Sequence, residues 1–236
     1  MRVAYRRLVW LSVVLLLIGT ALPLGAEEQN VRPGVNRQYE NPEFSVWLNR
    51  FEVPGREVFD MRHEIVAQLG LQPGMQVADV GAGTGFFTLL FADKVGDSGA
   101  VYAVDISEIF IRNILRRSKK KGLTNIRGIV GSDRDAGLPE GQFDLIFVCD
   151  TYHHFEYPQS MLASLRRSLR SNGKLVLIDY RKVEGLSREW IMNHVRANKE
   201  TVIKEVKQAG FALKSDSDLL TENFFLTFES PKKSQK

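Results

Sequence analysis

The residues best able to do chemistry stand at the ends of short apolar runs. Asp79-Val80-Gly81-Ala82-Gly83-Thr84-Gly85 places an acid and three glycines at two-residue spacing after the run Met75 to Val80, and the amphipathic stretch Phe86 to Val95 follows at once. This reads as strand, tight turn, helix. Glycine has no Cβ and accepts positive φ, so backbone N–H groups can approach a ligand closely, and a helix N-terminus behind them favours negative charge. A second run, Val101 to Val104, ends in Asp105. An acid there, about twenty residues on, accepts hydrogen bonds from ribose hydroxyls in nucleotide-binding α/β folds. Further along come Gly131-Ser132-Asp133-Arg134-Asp135 and Asp150-Thr151-Tyr152-His153-His154-Phe155. An imidazole from the second group could take a proton near neutral pH. Adjacent histidines in extended chain point apart, so one of the two is expected to reach a substrate. Four histidines and one cysteine without paired ligand spacing predict no metal site.

These residues need a scaffold that brings strand ends together. Strands are expected at Gln76–Val80, Ala100–Asp105, Ile126–Val130, Phe143–Cys149 and Lys174–Asp179, and helices at Gly85–Val95, Ser107–Lys121 and Pro158–Arg170. Alternating β and α with apolar, β-branched strands predicts an α/β fold whose parallel sheet is covered on both faces. Upstream, Phe44 to Phe51 and Arg56 to Leu69 read as two helices broken by Pro54-Gly55. Downstream, Arg188 to Ala209 reads as one long helix, and Gly210 to Ser215 and Asn223 to Glu229 as an antiparallel pair. Ligands in such sheets bind beyond the carboxyl ends of the strands, at the switch point.

From about Glu57 to Phe228 the chain resembles a class I S-adenosylmethionine-dependent methyltransferase of the small-molecule type. The Gly-x-Gly-x-Gly loop with an acid two residues ahead differs from the dinucleotide-binding Gly-x-Gly-x-x-Gly. The resemblance implies a Rossmann-like seven-stranded sheet, five parallel strands plus a C-terminal antiparallel hairpin, with helices on both faces. It also implies S-adenosyl-L-methionine as cofactor and methyl transfer to an oxygen, nitrogen or carbon of a small-molecule acceptor. By the same resemblance Asp79 would orient the glycine loop and the cofactor's amino group near Gly81, Gly83 and Gly85. Asp105 would hold the ribose, Ile106 would pack on the adenine, and Asp133, with Ser132 alongside, would accept from the adenine amino group, Asp135 being the alternative. Asp150 would lie near the methionine end. Tyr152, His153 and His154 would face the acceptor, and Arg56, Arg62 or His63 would contact a carboxylate from a lid.

Composition leaves the acceptor open. The 236 residues are 44% hydrophobic and 25% charged, ordinary for one globular domain. Met1 to Arg7 is basic, Leu8 to Ile18 is apolar, and small residues end at Ala26 before Glu27-Glu28. That pattern describes a signal peptide or, uncleaved, a membrane anchor, and predicts a periplasmic or otherwise exported domain. Residues 27–42 are expected as a linker, 43–230 as the methyltransferase domain and 231–236 as a disordered basic tail. The net charge of +4 falls to +1 once the three arginines of residues 1–26 are set aside, so no nucleic-acid partner is expected. The basic run Arg112, Arg116, Arg117 and Lys119 to Lys121 reads as a solvated helix face, and Cys149 as a small buried hydrophobe. An alternative reading is an exported binding module that keeps the fold without turnover.

Overall fold

The computed structural model describes residues 27–230. Helices α1 (Phe44–Phe51), α2 (Glu57–Asp60) and α3 (Arg62–Leu69) lead into the alternating unit. It runs β1 (Gln76–Val80), α4 (Phe86–Val95), β2 (Ala100–Asp105), α5 (Glu108–Lys120), β3 (Ile126–Val130), β4 (Phe143–Cys149), α6 (Pro158–Ser168) and β5 (Leu169–Tyr180). The chain closes with α7 (Glu189–His194), α8 (Lys199–Gln208), β6 (Ala212–Ser217) and β7 (Asn223–Glu229). Together the strands form one seven-stranded sheet in the order β3-β2-β1-β4-β5-β7-β6. The first five strands are parallel, and β7 runs antiparallel between β5 and β6.

The apolar runs are continuous because the central strands are buried on both faces. In β4, Leu145 and Phe147 pack with α3 and α4 residues such as Ile65 and Phe91, while Ile146 and Val148 pack with α6 and α8 residues such as Leu162 and Val206. The order reverses between β1 and β4. The loops after these two strands therefore diverge, and a crevice opens at their carboxyl ends.

Two expected helices are each divided. Arg56–Leu69 breaks at Met61 (φ −89°, ψ 14°). At the other end of α2, the Glu57 carboxylate accepts N–H groups from Thr221, Glu222 and Asn223, a tertiary contact that fixes the start of that helix. The long helix over Arg188–Ala209 becomes α7 and α8. Val195 is extended, and Asn198 starts α8 by accepting from Thr201 N at 3.0 Å. Residues 27–42, expected as a linker, lie against the domain. Val31 N donates to Glu156 O, the Glu28 carboxylate accepts from Gln159 N and Ser160 N, and the 3-10 turn Arg37–Tyr39 packs Tyr39 on Trp47.

The periplasmic or membrane-anchored placement is corrected. Among the described residues no helix is long and apolar enough to cross a membrane. The segment on which the signal or anchor expectation rested, residues 1–26, lies outside the described residues, as does the expected tail 231–236.

Candidate active site

The glycine loop is held by β2. Gly81 N and Ala82 N donate to Val104 O at 2.8 and 3.0 Å. The Asp105 carboxylate then accepts Gly83 N at one oxygen and Ser107 N at the other, both at 2.9 Å. Gly81 has φ +75°, and a Cβ there would stand 2.2 Å from the Thr151 side chain, so any other residue would be both strained and obstructed. The loop was expected to be oriented by Asp79, but its direct hydrogen bond goes to Asp105. Asp79 instead accepts the Thr88 hydroxyl at 2.6 Å, tying β1 to α4. Both acids are buried. Burial pushes Asp79 up to about 7, with the neighbouring Asp105 adding to the effect, and pushes Asp105 up to about 6 against the pull of its backbone donors. The Thr84 hydroxyl in this loop and the Ser107 hydroxyl are buried without a partner. Two buried carboxylates and the unpaired Thr84 hydroxyl, all lining one cavity, fit a ligand bringing several donors and acceptors, as the ribose and amino-acid groups of S-adenosylmethionine do.

The next loops continue this wall. Ile106, Ser132 and Asp133 line the same cavity of about 730 Å³, and Ile106 is 38% exposed, unusual for an isoleucine beside a core. Asp135 turns away, pairing with Arg167 at 2.8 Å and accepting Gly137 N. The structure therefore puts Asp133, and not Asp135, at the crevice. Arg117 leaves the solvated face expected for it: its guanidinium pairs with Glu52 and donates to Thr84 O at 2.7 Å, fastening α1 and α5 to the loop.

After β4, Asp150 takes φ +47°, a left-handed conformation that aspartate tolerates better than most residues. This turns its carboxylate towards Arg56 (2.7 Å) and the Asn223 amide (2.6 Å). Burial drives Asp150 upward against the pull of Arg56. Burial opposes the Arg56 charge too, yet Asp150 holds that guanidinium ionised above its ordinary value. Of the three lid residues expected near a carboxylate, Arg56 lines the cavity. Arg62 is taken up by Phe59, donating to its carbonyl and lying over its ring, and His63 is exposed on α3. Cys149, expected as a small buried hydrophobe, packs against the core but is only half-buried and lines the cavity.

The histidines depart furthest from expectation. Tyr152–His154 is a 3-10 turn, not extended chain, so both His153 and His154 line the cavity, with ring centroids 4.2 Å apart. Tyr152 is corrected out of the acceptor site. It is fully buried in the core, and its hydroxyl donates to Glu205 at 2.7 Å. His153 Nδ1 lies 2.7 Å from Asp179 at the end of β5, and its backbone N–H donates to the other carboxylate oxygen. The break after α7 brings in His194, whose Nε2 is 3.4 Å from His154 Nε2. Tyr39 adds its ring edge-on to His154. Burial and the neighbouring imidazoles push His154 down to about 2 and His194 down to about 4, so both are neutral. Sequence reading missed His194 and Tyr39. The available signal for His194 was a rare residue type at the close of an amphipathic stretch.

A profile described as a methyltransferase domain matches residues 71–224. The chain is 30% identical over 118 residues to a ubiquinone/menaquinone biosynthesis C-methyltransferase of Cupriavidus taiwanensis, covering 50% of this chain and 48% of that protein. It is 31% identical over 125 residues to the protein of the same name from a Shewanella species, covering 52% and 49%. The chain thus spans about half the length of these relatives. Among solved structures, a SAM-dependent methyltransferase from Aquifex aeolicus superposes with a TM-score of 0.71 at 26% identity, over 80% of this chain and 99% of that one. The [4+2]-cyclase SpnF superposes at 0.67 with 16% identity, over 79% and 86%, a likeness of fold alone. Matching strand order, an acid-and-glycine loop braced by Asp105, and a profile covering most of the described residues agree: the chain belongs to the methyltransferase-domain family, with the class I, S-adenosylmethionine-dependent fold.

Proposed function

We propose that this protein transfers a methyl group from S-adenosylmethionine to a small-molecule acceptor. The observation that carries the reading is one continuous cavity. Its wall from β1, β2 and β3 holds the glycine loop, Asp105 and Asp133, and its wall from β4, β5 and α7 holds Asp150 and three histidines. S-adenosylmethionine supplies a methyl already activated by a sulfonium, so the protein's main task is to hold donor and acceptor in line, a contribution of several kcal/mol. In this reading Asp105 receives the ribose hydroxyls, with Ile106 against the adenine and Ser132 and Asp133 at its polar edge. The loop at Gly81, Gly83 and Gly85 admits the amino-acid portion near Asp79 and Asp150. His153, oriented by Asp179, handles the proton of the acceptor, with the neutral His154 ring beside it.

The names of the relatives nominate carbon methylation of a ubiquinone or menaquinone precursor as one reaction to test, while SpnF, named a [4+2]-cyclase, warns that the fold hosts other reactions. Titration of S-adenosylmethionine by calorimetry tests the cofactor site: binding to the wild type that is lost in Asp105→Ala supports it, and unchanged affinity in the variant overturns the ribose role. Release of S-adenosylhomocysteine with a panel of hydroxyl, amine and ring-carbon acceptors tests turnover. Normal rates in both His153→Ala and His154→Ala would remove the histidines from the reaction.

A further inference from the structure

The three histidines form a set that proton handling alone does not require. One nitrogen from each of His153, His154 and His194 lies within 4.8 Å of the others. His154 Nε2 and His194 Nε2 are 3.4 Å apart, matching the separation of about 3.3–3.4 Å between two nitrogens that each sit about 2.0–2.1 Å from one tetrahedral ion. His153 has its Nδ1 committed to Asp179, which leaves Nε2 free and fixes the ring. A carboxylate behind a ligating imidazole is the usual outer partner of a histidine metal ligand. His154 Nε2 meets only the His194 ring at 3.4 Å and the Tyr39 hydroxyl at 3.5 Å, so among the described residues no carboxylate or backbone group occupies the proposed ligand atom. His194 is half-buried at the end of the short helix α7.

We propose that His153, His154 and His194 bind one divalent transition cation of the zinc type, and that Asp179 positions His153 for it. Three imidazoles without a thiolate or carboxylate in the set favour a late first-row ion over calcium or magnesium. Three protein ligands leave a fourth position open, the arrangement of catalytic rather than structural zinc. Because the three side chains line the cavity, that position can take an acceptor's hydroxyl or thiol. With the imidazole nitrogens engaged, the cation replaces His153 in handling the proton: it lowers the pKa of that group, whose proton leaves to solvent. The new bond from oxygen or sulfur to the methyl carbon then forms as the carbon–sulfonium bond breaks, and a neutral thioether departs. This last role rests on the methyl-transfer reading; binding of the cation does not.

The test is made on the full-length chain, stripped with a chelator and titrated with Zn²⁺ against a chromogenic competitor, then loaded with Co²⁺ for visible spectroscopy. The expected result is one tight equivalent of Zn²⁺ and intense four-coordinate Co²⁺ bands. Both should be lost in His194→Ala and kept in His63→Ala, whose histidine lies outside the cluster. Asp179→Asn should keep the Co²⁺ bands but weaken Zn²⁺ by about 10–100-fold, the usual cost of removing an outer carboxylate. Calorimetry with S-adenosylmethionine on the same samples separates the two proposals. Wild type that binds the cofactor but no more Zn²⁺ than His194→Ala overturns the cation site alone. Zn²⁺ binding without cofactor binding leaves the cation site standing and overturns the methyl-transfer reading. Equal Zn²⁺ affinity in wild type and a folded, cofactor-binding His194→Ala also overturns the cation site.

Discussion

The two walls of the cavity are built differently. The wall under β1 and β2 is local: Asp79, the glycines and Asp105 fall within 27 consecutive residues, and its hydrogen bonds run between adjacent parallel strands. The wall around the histidines is assembled from distant pieces: Arg56 before the sheet, Asp150 to His154 after β4, Asp179 on β5, His194 after α7 and Asn223 on β7. The local wall depends on backbone geometry and two buried acids, the assembled one on charge and hydrogen-bond pairs between side chains.

The sharpest way to break the assembled wall is Arg56→Met. It leaves the Asp150 carboxylate buried without its cation, and the Arg56 and Asp150 side chains are only 16% and 6% exposed. Removing one partner of such a pair costs about 3–5 kcal/mol, to be read by denaturant unfolding. Asp150→Asn in the same chain should recover much of the loss, because asparagine tolerates the left-handed backbone and brings no charge. No loss in the single variant would mean that Arg56 contributes little where it stands. On the local wall, Asp105→Ala removes the brace on Gly83 and the proposed ribose acceptor together. Hydrogen bonds to a charged group contribute about 1.5–3 kcal/mol, so cofactor affinity should fall by at least about tenfold in calorimetry.

A pH series sharpens the same contrast. Asp79 and Asp105 have folded values raised to about 7 and about 6. Acids raised in the folded state contribute stability that is present below the ordinary carboxylate value of about 4 and is lost as pH rises through the folded values. The ligand-free domain should therefore lose this contribution between about pH 4 and pH 7. Hydroxyl and ammonium donors favour the ionised acids, so S-adenosylmethionine should bind more tightly, and raise the melting temperature more, at about pH 8 than at about pH 5.5. A flat profile would detach both acids from the ligand. The smallest effect belongs to Tyr152→Phe. It removes one hydrogen bond to Glu205, which keeps its pair with Arg196 at 2.7 Å. Stability should fall by about 1 kcal/mol with methyl-transfer rates unchanged; a large fall in rate at normal stability would put Tyr152 back in the reaction.

Much of the sheet was legible because apolar runs bounded by glycine and asparagine report buried strands directly. The bounds of β1, β2, β3, β4 and β7 agree with the reading of the sequence. The two divided helices were not legible, since amphipathic spacing continues across Met61 and across Val195. The structure adds contacts made elsewhere: Glu57 at the start of α2 is held on the β6–β7 turn, and Lys182 Nζ donates to Val195 O at 2.6 Å. The division after α7 matters most, because it ends the helix at His194, which lines the cavity.

The sequence by itself determined the alternating α/β order, the glycine turn and the acid at the end of β2, because each is a property of neighbouring residues and of strand periodicity. Only the tertiary structure decided which loop acid reaches the crevice, that Tyr152 belongs to the core, and that His194 meets His153 and His154. These depend on which strand ends adjoin in the sheet and on where a helix is interrupted, and neither is encoded in the spacing of the residues concerned.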